Sequence, residues 1–93
     1  MTKFKRAEKV ILREIAGEMI LVPVKGRLAD LQRIYMLEGV AGFIWGQLER
    51  PVSEEEIAVA LSKEFAVDGT EALSDARHVI SDLRKEGLVA EEE

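Results

Sequence analysis

Residues 33–57 read RIYMLEGVAGFIWGQLERPVSEEEI, and the fold turns on a change of rhythm inside them. From Arg33 to Leu37 the side chains alternate, with Ile34 and Met36 on one face and Arg33, Tyr35 and Leu37 on the other, the period of a short strand. From Glu38 onward Val40, Phe43, Ile44 and Leu48 recur at three- and four-residue steps, one stripe of an amphipathic helix that Pro51 ends. Ser53 and Glu56 then have the spacing of a capping box, in which the hydroxyl accepts from the N3 amide while the carboxylate accepts from the cap amide. A second helix follows, with Ile57, Ala58, Leu61 and Phe65 as its buried stripe.

Upstream, Val10 to Ile15 reads VILREI, Ala16-Gly17 punctuates, and Met19 to Val22 is apolar on both faces, which predicts a hairpin. Pro23 confines the second arm to an edge or a strand end. Lys25 to Gln32 reads as a polar connection containing Gly26, with Leu28 and Leu31 as anchors. Downstream, Asp68 or Thr70 caps a third helix in which Leu73, Ala76, Ile80 and Leu83 repeat, and Gly87 stops it as a left-handed C′ residue that brings Leu83 and Leu88 together. Three strands before three helices cannot form parallel crossover units. The expected fold class is therefore α+β, a small antiparallel three-stranded sheet packed by one face on a three-helix bundle.

The 93 residues supply one core and not two, so a single domain over 1–93 is expected, with 1–8 and 90–93 as flexible ends. Without cysteine the chain has no disulfide framework, thiolate zinc site or cysteine nucleophile. The longest apolar run, Met19 to Val24, is far short of the roughly 20 residues of a membrane span. The N-terminus has no apolar signal segment, and a cytoplasmic protein with no membrane partner is expected. The net charge of -5 divides unevenly: residues 1–50 carry nine Lys/Arg against six Asp/Glu, and residues 51–93 four against twelve. That balance argues against a phosphate-binding surface, and no nucleic-acid partner is expected.

Candidate catalytic groups are few. His78 has Asp75 and Asp82 at i−3 and i+4, but it has no second His or Cys to make a metal or acid–base set. Glu54-Glu55-Glu56 fits the first turn of a helix, where carboxylates complement the macrodipole. Gly39, Gly42 and Gly46 lack the Lys-Ser/Thr of a phosphate loop and read as close-packing positions. No enzyme activity, metal or cofactor is expected. Arg77, Ser81, Arg84 and Lys85 gather on one side of the third helix beside Ile80.

The run from Tyr35 to Leu88 resembles the family of coenzyme PQQ synthesis protein D, small peptide chaperones whose fold also serves as the recognition element for precursors of ribosomally made, modified peptides. The resemblance lies in the strand ending at Leu37, Ile44-Trp45 with Leu48, the turn from Pro51 to Ile57, Leu61 with Phe65, and Leu83-Arg84-Lys85-Glu86-Gly87-Leu88. The sequence departs after Leu37, where the family continues with Asn and a Thr-Ala pair and this chain has Glu38-Gly39-Val40-Ala41. The resemblance implies a winged-helix-like domain that binds the leader of a precursor peptide and presents it to a radical S-adenosylmethionine enzyme of the SPASM type, as a monomer or weak homodimer. It places the leader along Arg33, Ile34, Tyr35, Met36 and Leu37 and against the third helix, where Ile80, Arg77, Ser81, Arg84 and Lys85 receive its apolar and acidic side chains. A DNA-binding winged helix is the alternative, against which stand Glu71, Asp75, Asp82 and Glu86 on the same helix.

Overall fold

The computed structural model describes residues 2–8, 10–25, 28–29 and 34–92. Arg33 and Leu31 lie outside the described residues. In chain order the elements are β1 (Lys3–Arg6), β2 (Val10–Ile15), β3 (Glu18–Lys25), β4 (Leu28–Ala29), β5 (Tyr35–Leu37), α1 (Gly39–Gln47), β6 (Val52–Ser53), α2 (Glu54–Phe65), α3 (Gly69–Lys85) and β7 (Val89–Glu92). Among the described residues no helix is long and apolar enough to cross a membrane.

The expected sheet is present. β2 and β3 pair antiparallel with Ile15 opposite Glu18, so Ala16 and Gly17 alone make the turn. Both have positive φ, 54° and 83°, the backbone of the two-residue turn whose twist matches that of its strands. β5 pairs antiparallel with the first part of β3, Leu37 opposite Met19 and Tyr35 opposite Leu21, and β4 pairs with its far end. Leu21 is fully buried, and Tyr35 and Leu37 pack against the same core. Ile34 and Met36 point the other way and are half exposed. The strand over 33–37 is thus shorter than the alternation suggests, because Ile34 precedes the ladder.

A second antiparallel sheet, ordered β6-β1-β7, was not expected from the sequence. It corrects the reading of 1–8 and 90–93 as flexible ends: Lys3–Arg6 and Val89–Glu92 pair over four residues, from Lys3 opposite Glu92 to Arg6 opposite Val89. Opposite charges face each other at the ends of the chain, and Phe4 fills the core beneath them, 4% exposed. Arg6 anchors the sheet to α1. Its Nε and Nη2 both donate to the Trp45 carbonyl, at 3.0 and 2.8 Å, and its guanidinium lies 4.6 Å from the Trp45 ring centroid. A cation beside the last carbonyls of a helix complements the macrodipole, and α1 has no basic residue of its own in its last turn.

The helix ends follow the sequence. Ser53 Oγ accepts from the Glu56 amide at 3.1 Å while Glu56 Oε1 accepts from the Ser53 amide at 3.0 Å. Asp68 caps α3 by accepting from the Glu71 amide at 2.9 Å. Gly87, at φ 71°, ends it: the Leu88 amide donates to Leu83 and the Gly87 amide to Arg84, at 2.9 and 3.0 Å, and Leu83 and Leu88 are both fully buried. Two details differ. Phe65 is 41% exposed at the end of α2, set edge-on to Phe43 at 5.5 Å rather than inside the core. Gly39, Gly42 and Gly46 are not close-packing positions, because a Cβ at any of them meets nothing within 4 Å.

Candidate functional site

Among the described residues β5 pairs with β3 alone, so its other edge carries backbone groups with no ladder partner. Tyr35 marks what lies beside that edge. Burial pushes its phenol above the usual value, and the negative charge of Asp82 on α3 pushes it the same way. Asp82 on α3 therefore lies near enough to the Tyr35 phenol for its charge to be felt there. Val79 on the same flank as Asp82 packs half-buried against the core, and Asp75, two turns before Asp82, is also half-buried. Tyr35, Met36 and Leu37, with Ile34 just ahead of them, thus form a short open edge, and the charge of Asp82 reaches Tyr35.

The basic residues of α3 lie elsewhere. Arg77, Ile80, Ser81, Arg84 and Lys85 line one cavity of about 370 Å³ together with Phe4 of β1 and Glu54 at the start of α2. Arg77 Nε is 3.8 Å from Glu54 Oε1, and Arg84 Nη1 is 3.3 Å from Glu91 Oε1 while its guanidinium sits 5.7 Å from the Phe4 ring centroid. Asp82 and Arg84 are only two residues apart, which is about 160° around a helix. The buried stripe of Ala72, Ala76, Ile80 and Leu83 runs between the two flanks. The structure therefore brings the five helical candidates together around one groove, whose lining includes none of residues 34–37.

The spacing of Arg77, Ser81, Arg84 and Lys85 reveals that they share a flank, but not which way that flank faces. Rotation of a helix is set by what its buried stripe packs on.

The remaining polar groups are accounted for locally. His78 is largely exposed, its Nε2 3.6 Å from Asp82 Oδ2. Among the described residues no group of three His, Cys, Asp or Glu is placed to hold a metal ion. Glu56 is held below its ordinary value by the bond from the Ser53 backbone and then by the Ser53 side chain, which belongs to the cap. A second cavity of about 330 Å³ lies between α2 and α3, lined by Ala58, Val59 and Leu73 with Glu55 and Lys63 at its rim, and the sequence reading did not include it.

The sequence matches the family described as coenzyme PQQ synthesis protein D over residues 10–89. No curated protein matches it. The fold is similar to that of TbiB1, solved in complex with the TbiA(beta) leader peptide, with a TM-score of 0.73 and 26% identity over 91% of this chain and 93% of that one. The family match takes in the hairpin, β5 and all three helices, and on it the chain belongs to the coenzyme PQQ synthesis protein D family.

Proposed function

We propose that this chain binds the leader segment of a ribosomally made precursor peptide as an added strand along β5 and presents it to a radical S-adenosylmethionine enzyme. The observation that carries the reading is the edge of β5 that has no ladder partner among the described residues, in a fold similar to that of a protein solved with a leader peptide. An extended peptide on such an edge gains main-chain hydrogen bonds, while side-chain contacts set its specificity. β5 is only three residues long, so the ladder it offers is short and α3 must supply much of the selectivity. With the charge of Asp82 felt at Tyr35, the leader that fits turns basic or uncharged side chains toward that residue. The chain acts by binding, with no catalytic step of its own, in the cytoplasm where its precursor is made. Ordering a flexible leader costs about 2–5 kcal/mol of the gross interaction energy, in keeping with micromolar affinity.

An amide-shift titration with the leader peptide encoded beside the gene tests this. Shifts are expected at 34–37 and along 75–82, and Asp82→Lys is expected to weaken binding about five- to tenfold, as loss of a partly exposed charge pair and its replacement by repulsion would. A leader that binds without shifting 34–37 would sink the proposal.

A further inference from the structure

We infer that the groove between α3, β1 and the start of α2 is a second docking site, taking an acidic segment of a partner polypeptide on the flank of α3 that carries Arg77 and Arg84. The chain is acidic overall, at -5, yet Arg77, Arg84 and Lys85 line one cavity. Arg77 and Arg84 stand seven residues apart, two helical turns or about 10 Å. Ile80 and Phe4, 1% and 4% exposed, form an apolar floor, and the exposed Ser81 stands between the two guanidiniums.

The guanidiniums are held at the rim without being used up. Their side chains are 59% and 51% exposed, and each has one carboxylate neighbour, Glu54 or Glu91. Exposed pairs of that kind contribute about 0–1 kcal/mol, so an incoming carboxylate can displace either neighbour at small cost. The planar fork of each Arg then offers two parallel donors to the new oxygen pair. A nucleic acid suits the groove poorly, because a long polyanion laid along it would extend over a chain that carries a net charge of -5. Glutamate or aspartate side chains at about two helical turns' separation on a partner segment match the charge and spacing of Arg77 and Arg84.

The test needs no leader peptide, so it stands or fails separately from the β5 reading. A short peptide of glutamate and leucine, its lysine counterpart and a short DNA duplex are titrated into the isotope-labelled chain. The glutamate peptide is expected to shift the amides of Phe4, Arg77, Ser81 and Arg84, and to bind about tenfold more weakly when Arg77→Glu and Arg84→Glu are combined. Arg77→Gln with Arg84→Gln gives the same direction should the reversal variant not fold. The inference is overturned if those amides do not move, if either pair of substitutions leaves the affinity unchanged, or if DNA or the lysine peptide binds at least as tightly as the glutamate peptide.

Discussion

The two sheets of this domain are built in opposite ways. β2, β3 and β5 come from one stretch of chain, rich in β-branched and apolar residues and joined at one end by a two-residue turn. β1, β6 and β7 come from residues 3–6, 52–53 and 89–92, and two of the three strands, KFKR and VAEE, are at least half charged. The first sheet keeps β5 as an open edge among the described residues. The second places β1 between its neighbours, clamps Arg6 onto Trp45 and closes over Phe4. A local, apolar sheet can leave an edge available for a ligand when a second, long-range sheet fixes the helices that stand beside it.

That division predicts separable effects. Phe4→Ala removes the main apolar anchor of the second sheet and is expected to cost about 3 kcal/mol, read from denaturant unfolding. Binding at 34–37 should persist in the fraction that stays folded; its loss there would mean the two sheets are not independent.

Ser53→Ala, where β6 runs into α2, is expected to cost about 1 kcal/mol through the lost cap. It should also change the acid limb of stability. Glu56 is depressed in the folded chain, so its share is present above the unfolded carboxylate value and is lost as pH falls through the lower folded one. In Ser53→Ala that part of the acid dependence should shrink, and an unchanged profile would remove the capping box from the account.

The smallest effect belongs to the hairpin. Ala16 at φ 54° is a side chain in the left-handed region, and Ala16→Asn gives the Asn-Gly pair such turns favour, with an expected gain of about 0.5 kcal/mol in thermal unfolding. A loss instead would place the turn in another geometry.

The same contrast explains what could be read from the sequence. The Ala16-Gly17 turn, the Ser53 and Glu56 box, the Asp68 cap and the Gly87 stop are each written within a few residues, because the bonds that make them close locally. β1 and β7 have no such signal: Lys3 acquires strand geometry by meeting Ser53 on one side and Glu92 on the other. The strand was legible in the alternation at Ile34 to Leu37, but neither its open edge nor its neighbour was. Whether Asp82 or Arg84 faces β5 depends on how Ala72, Ala76, Ile80 and Leu83 seat α3 against the core, a tertiary fact.

The pairing of β1 with β7 also makes the polypeptide nearly a ring. Its ladder closes a loop of roughly 80 residues, and the entropy of closure, which grows only as the logarithm of loop length, must be met each time the chain folds. A short covalent bridge from beyond Glu92 to before Lys3 would remove that contribution. The circularised chain could then be reopened at Ala16-Gly17, leaving β5 and both flanks of α3 in place.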